Sequence, residues 1–209
     1  MTVIPAMAAL KRSSDATRKL RMVGSDHAGE RHKDDFYPTP PEMTRALLAV
    51  EKFTGPIWEP ACGDGALSEV LIAAGHDVVS SDLVDRGYGE PRRDFLMEGM
   101  PDGCRNIITN PPFKLGEQFW RHGCPRVTAG KLAFVARLTW LEGIERAVMF
   151  QRWPLSRIWI APWRPKFQRN RLATKADSGG MLAHAWYVHD PKHSGPPTLG
   201  WLPDTRATP

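Results

Sequence analysis

The sequence predicts an α/β protein, one domain built on a mostly parallel sheet. Three observations carry this expectation. Short apolar runs alternate with segments of helical periodicity, the pattern of strands joined by covering helices. The 209 residues suffice for one such domain with a full core, and not for two plus linkers. A glycine-bearing turn, Gly63-Asp64-Gly65, follows the first apolar run, where a strand would pass into a helix.

Residues 1–33 carry Lys11, Arg12, Arg18, Lys19, Arg21, Arg31 and Lys33 among few large apolar groups. That composition suits a flexible basic arm, with a short helix over 15–22. The folded domain is expected over 34–202 and a tail over 203–209. Thr39-Pro40-Pro41-Glu42 has the form of a capping box, and Met43, Ala46, Leu47 and Val50 follow at helical spacing. Ile57-Trp58 reads as a short buried strand, 66–74 as a helix ended by Gly75, and 77–80 as a strand closing at Asp82. The segment 84–103 is rich in glycine, proline and charge and reads as irregular chain around Asp94-Phe95-Leu96. Strands are then expected at 106–109, 131–138, 157–160 and 183–188, and helices at 115–122 and 142–150.

An apolar content of 42% and a charged content of 24% are ordinary for a globular protein. No apolar run is long enough to span a bilayer, and the apolar stretch 6–10 is too short for a secretory leader and precedes the basic stretch. Cys62, Cys104 and Cys124 are odd in number and lack ligand spacing, so neither a disulfide framework nor a metal site is expected, and a reduced, cytoplasmic setting is. The net charge of +5, with a pI near 9.3, suits a polyanionic partner.

Gly63 and Gly65 allow positive φ and close approach of backbone to a ligand. A pyrophosphate-binding loop needs a small third residue and free helix amides. Here the chain continues Ala66-Leu67-Ser68, and Asp64 inside the turn, with Glu59 upstream, would repel a pyrophosphate. A cofactor bearing a cationic amine and a sulfonium suits these charges better. Asp82, 17 residues beyond Gly65, closes the next strand, where a carboxylate can accept from both ribose hydroxyls. Asp64 and Asp82 also suit plain turns.

The second motif is Asn110-Pro111-Pro112-Phe113, at the exit of the strand 106–109. Paired prolines stiffen that exit. The Asn110 amide oxygen and the Pro111 carbonyl can then face one cavity, where they would accept the two hydrogens of a conjugated amine. Held so, the nitrogen aims its lone pair at an electrophilic methyl, with no covalent intermediate and no separate general base. Phe113 would stack on a base that has left its helix. An ordinary Asn-Pro turn with Phe113 in the core is the competing account.

These motifs resemble those of the class I S-adenosylmethionine-dependent methyltransferases, in particular the small phage-type N6-adenine DNA methyltransferases, over residues 34–202. The resemblance implies a Rossmann-like methyltransferase fold with seven strands, mostly parallel, and a C-terminal antiparallel hairpin. It implies S-adenosylmethionine as cofactor, held by Tyr37, Thr39, Glu59, Ala61, Gly63, Asp64, Gly65, Asp82, Leu83, Asp94 and Phe95. It gives Asn110, Pro111, Pro112 and Phe113 the catalytic role, on the N6 amine of adenine in DNA. The later stretches 138–143, 163–167 and 177–180 are also similar, and the basic residues Arg164, Lys166, Arg169, Arg171 and Lys175 would grip phosphates beside the base pocket. No metal and no membrane partner is implied. Alternatives are the same chemistry on an RNA base (adenine N6 or guanine N2), methylation of a protein glutamine, or a non-catalytic nucleic-acid-binding module. Trp140, Trp153, Trp159 and Trp186 are expected in the core, and His184 and His189 receive no catalytic role. No stretch is long enough for a large target-recognition segment, so selectivity is expected to be loose, or set by the arm, the loop 163–180 or a second subunit.

Overall fold

The computed structural model describes residues 36–167 and 182–206, so the expected basic arm lies outside the described residues. Eight strands form one sheet: β1 (Ile57–Glu59), β2 (Val78–Asp82), β3 (Glu90–Pro91), β4 (Asn106–Thr109), β5 (Leu132–Arg137), β6 (Arg157–Ile160), β7 (His184–His189) and β8 (Thr198–Trp201). Their order is β3-β2-β1-β4-β5-β7-β6-β8. Every pairing is parallel except those of β7, which runs antiparallel between β5 and β6. The expected α/β class and antiparallel C-terminal pair are present, with eight strands in place of seven. The apolar pattern does not announce the two edge strands, because Glu90–Pro91 has no large apolar residue and Thr198–Trp201 is mostly exposed.

Among the described residues four α-helices cover the sheet: α1 (Pro41–Val50), α2 (Ala66–Ala73), α3 (Gly116–Gly123) and α4 (Ile144–Arg152). Consecutive strand residues serve opposite faces, as the pleat requires. Ile107, Phe134 and Tyr187 join one core with Trp58, Phe119 and Trp120. Ile108, Val135 and Trp186 join the other with Met43, Leu47 and Leu71. Burial on both faces is why the central strands read as unbroken apolar runs.

The expected capping box at α1 does not form. Pro40 occupies the cap position without a side-chain bond, and the first turn closes through Met43 N–H to the Pro40 carbonyl (2.9 Å). Pro40 and Pro41 carry no N–H, so that turn presents fewer donors for a cap to satisfy. At the other end of the sheet's strands from the site described below, Glu51 follows α1 with its side chain 2% exposed. It accepts from Lys131 Nζ (2.6 Å), Trp159 Nε1 (2.9 Å) and Arg157, which also meets Asp190 (3.1 Å). Burial alone would push this carboxyl up, but the bonds from Arg157, Lys131 and Trp159 hold it below its ordinary range.

Candidate functional site

The strand order reverses between β1 and β4: from β1 the chain moves outward through β2 and β3, then returns to β4 on the other side. Ligands of open α/β sheets bind at the carboxyl ends of strands at such a switch point. Both motifs singled out in the sequence lie there, one after β1 and one after β4.

After β1 the backbone turns through Gly63 (φ 58°) and Gly65 (φ 83°), conformations that favour glycine. Asp82 ties this turn to the end of β2: Oδ2 accepts the Gly63 N–H (2.8 Å) and Oδ1 the Val84 N–H (2.8 Å). Asp64 Oδ1 accepts from Ala66 N–H at the start of α2 (3.2 Å). The room that the two glycines leave is taken by aromatic rings of the chain itself. A Cβ at position 63 would strike Phe36, and one at position 65 would lie 2.5 Å from Tyr88. The Arg86 guanidinium sits over Phe36 at 4.3 Å. Phe36, Tyr88 and Arg86 are absent from the expected site set. The signal for Phe36 and Tyr88 was an aromatic beside proline or glycine in each approach to the turn; nothing in the sequence marks Arg86.

Glu59 ends β1 and is 1% exposed. It accepts from the Ser68 hydroxyl of α2, which also pairs with Ser80 of β2 (2.7 Å). Burial pushes the carboxyl from its ordinary 4.5 up to about 8; Ser68 opposes this, while the negative charges of Asp82 and Asp64 add to it. Burial raises the neighbouring Cys62 thiol likewise, to about 12. The turn is thus an acidic cluster, with one carboxyl poised between its forms near neutral pH.

Leu83 is 58% exposed just beyond Asp82. Asp94 Oδ1 accepts from Leu96 N–H (3.0 Å), which holds the turn after β3. The Phe95 ring lies in the core, 3% exposed and boxed by Trp58 (5.1 Å), Phe119 (4.6 Å) and His122 (4.8 Å). Ala61 is half-buried against the same core, and Thr39 is buried at the start of α1.

The second motif is anchored across the chain. Asn110 Nδ2 donates to the Tyr37 carbonyl (2.9 Å). A carbonyl only accepts, so this bond fixes which end of the amide carries nitrogen and leaves Oδ1 directed elsewhere as an acceptor. Phe113 opens a short 3-10 turn (Phe113–Leu115) and stacks on Tyr37, centroids 5.7 Å apart. Beside the corner lies a cavity of about 200 Å³, walled by Pro111 and Phe113 after β4, by Phe134–Arg137 of β5, and by Gly116, Thr139, Trp140 and Arg146. Trp140 serves both settings: it packs on Phe134 (4.4 Å) and Tyr187 (4.9 Å) in the core, and it lines the cavity. Trp186 is wholly buried, as expected, while Trp153 and Trp159 are half-buried.

Arg164 and Lys166 are exposed beyond β6, and Arg169, Arg171 and Lys175 lie outside the described residues. His184 is buried and its Nδ1–H donates to the Leu182 carbonyl (3.0 Å). Burial, with Arg137 and Arg164 nearby, lowers its pKa to about 4, so it is neutral at physiological pH. Among the described residues no three His, Cys, Asp or Glu side chains converge as a metal site, and no helix is long and apolar enough to cross a membrane.

No family model and no curated protein matches the sequence. Solved structures do match in fold. The chain is similar to a protein of Vibrio vulnificus YJ016 described as the modification subunit of a type I restriction enzyme, with 15% identity and a TM-score of 0.56, covering 86% of this chain and 49% of that one. It is similar to a Listeria monocytogenes protein described as a class I S-adenosylmethionine-dependent methyltransferase, with 16% identity and a TM-score of 0.53, covering 78% of this chain and 65% of that one. It is similar to the 23S rRNA methyltransferase ErmE, with 16% identity and a TM-score of 0.51, covering 78% and 71%. The chain thus spans about half of the Vibrio subunit and just under two thirds of the Listeria protein. Its Rossmann-like fold is that of the class I S-adenosylmethionine-dependent methyltransferases.

Proposed function

We propose that this protein is an S-adenosylmethionine-dependent methyltransferase acting on the exocyclic N6 amine of adenine in DNA. The observation that carries the proposal is the Asn110 corner. Its amide nitrogen is held by the Tyr37 carbonyl, its acceptor oxygen is directed elsewhere, and an aromatic-walled cavity adjoins the corner. A conjugated amine needs two acceptors and a stacking surface, which Asn110 Oδ1, the Pro111 carbonyl and Phe113 would supply.

The residues after β1 and β2 fit the cofactor's chemistry. Asp82 offers carboxylate oxygens to ribose hydroxyls, exposed Leu83 an apolar surface to an adenine, and Asp64 an acidic surrounding for cationic groups, with Glu59 a buried carboxyl that an adjoining cation would help to ionise. Tyr37, Thr39, Ala61, Gly63, Gly65, Asp94 and Phe95 complete the proposed set, Phe95 by backing the site from the core. When bound, S-adenosylmethionine supplies an electrophilic methyl. The corner holds the amine hydrogens on two oxygens, which draws the nitrogen toward tetrahedral geometry and orients its lone pair. Phe113 and Trp140 exclude water from the base, and the amine proton leaves to solvent after transfer. Arg164, Lys166, Arg169, Arg171 and Lys175 are the proposed phosphate contacts.

Incubation with labelled S-adenosylmethionine and genomic DNA or total RNA, then nucleoside mass spectrometry, tests this. N6-methyldeoxyadenosine is expected. Methylated adenosine or guanosine from RNA alone would move the chain to its alternative substrate, a reading that the ErmE fold likeness favours. No methylated nucleoside from either polymer refutes the proposal.

A further inference from the structure

Among the described residues five tryptophans are buried, and three of them bond their indole N–H within the chain. Trp58 donates to Ser81 Oγ (2.9 Å), Trp120 to the Trp153 carbonyl (3.1 Å) and Trp186 to the Met43 carbonyl (2.9 Å). A buried indole ordinarily finds such a partner. Trp140 Nε1 meets no acceptor among the described residues. The Trp163 nitrogen also lacks one, but it is sealed from solvent and the Trp140 nitrogen is not. The space beside the Trp140 nitrogen belongs to the cavity. Gly116 and Trp140 are both cavity walls, and a Cβ at position 116 would lie 3.2 Å from Nε1, closer than to any other indole atom. Glycine at the start of α3 thus leaves the nitrogen corner of the ring uncovered. The ring is held in this pose by Phe134 (4.4 Å), Tyr187 (4.9 Å), Phe150 (5.1 Å) and Trp120 (5.4 Å), all packed edge to face.

We propose that Trp140 reads the target base: its indole N–H donates to a ring nitrogen beside the amine, N1 or N7 of adenine. This inference rests on the proposed function and adds a recognition contact to it. The corner and the indole together suit one edge of the base. Asn110 Oδ1 and the Pro111 carbonyl accept from the amine, and Trp140 supplies a donor to the acceptor next to it. A base that fills the cavity displaces water from Nε1. A C–H at the facing position would then leave the N–H buried and unbonded, a cost larger than the net gain of an ordinary hydrogen bond. Sites built around such a donor reject an analogue without the acceptor far more strongly than they reject a change of size. The four surrounding rings fix the indole before the base arrives, so the donor needs no reordering.

The test uses the full chain. Sequencing for modified bases maps a site that wild type methylates, and synthetic oligonucleotides over that site carry adenine, 1-deazaadenine or 7-deazaadenine there. Each deaza base exchanges one ring nitrogen for C–H and keeps the amine. Methyl transfer by wild type and by Trp140→Phe, which keeps an aromatic ring and loses the N–H, gives kcat/KM on each base. Wild type is expected to lose on the order of tenfold on one of the two analogues. Trp140→Phe should lose about as much on adenine and nothing further on that analogue. If urea unfolding shows that phenylalanine upsets the core, 3-benzothienylalanine at position 140, an isostere with sulfur in place of N–H, makes the same comparison. Equal rates of wild type on all three bases overturn the inference, as does a variant without the N–H that still penalises the same analogue. A wild-type chain that methylates neither DNA nor RNA would instead overturn the proposed function itself.

Discussion

Replacing Glu59 with glutamine should make the protein more stable at alkaline pH and leave it unchanged near pH 5. The carboxyl titrates near 4.5 when the chain is unfolded and near 8 in its buried seat against Ser68. Between those values the folded chain holds a proton that the unfolded chain has released, so stability falls as pH rises. The loss begins near pH 4.5 and is complete just above 8. At 1.36 kcal/mol per pH unit it amounts to about 5 kcal/mol, a large fraction of a domain's total. Glutamine is neutral throughout and keeps the size and hydrogen bonding of the protonated acid. Urea unfolding of both proteins from about pH 5 to about pH 9 measures this, through the difference between the two stability curves. His122, His184 and His189, whose pKa values burial lowers, act in the opposite sense by weakening the fold as pH drops. They cancel in the difference. A difference that stays flat across this range would mean that Glu59 is solvated or paired with a cation, and the acidic-cluster account of the turn would fail.

Asn110→Ala should lower kcat by about 10²–10³-fold while leaving S-adenosylmethionine affinity nearly unchanged by calorimetry; full turnover would remove the assigned chemistry. Asp82→Ala removes the acceptor of Gly63 N–H and Val84 N–H as well as the proposed ribose contact. Cofactor affinity should fall about ten- to a hundredfold, and an unaltered dissociation constant would place the ribose elsewhere. Glu51→Ala strands Lys131 and Arg157 with their shared carboxylate gone, at a cost of about 3–5 kcal/mol in urea unfolding. A loss under about 1 kcal/mol would show that solvent reaches that cluster.

The central strands were legible because each is buried on both faces, which makes Ile107-Ile108 and 132–136 continuous apolar runs. The edges were not, since β3 and β8 owe their pairing to neighbours and not to their own side chains. At the site, the two motifs were readable through glycine and proline, whose backbone restrictions are local. Asp82 stood out for the same reason, as a carboxylate at a strand end. The cavity wall was another matter. Arg137, Thr139, Trp140 and Arg146 come from β5 and the chain after it, and nothing local marks them as facing Pro111 and Phe113. Trp140 lies in the core as expected, but a tryptophan is large enough to serve a core and a cavity together. The glycine turn held the opposite lesson. The open space assigned to a ligand is shared with Phe36 and Tyr88, because only the folded chain brings those rings to it.

The bond from Asn110 to the Tyr37 carbonyl joins groups 73 positions apart in sequence. Tyr37 precedes β1 and Asn110 follows β4, so the amide oxygen is oriented only once these two distant segments have met. The glycine bend, closed by Asp82 nineteen positions away, needs no such long-range contact. If the proposed function holds, a chain that has not made this contact would keep the bend and lack the oriented acceptor.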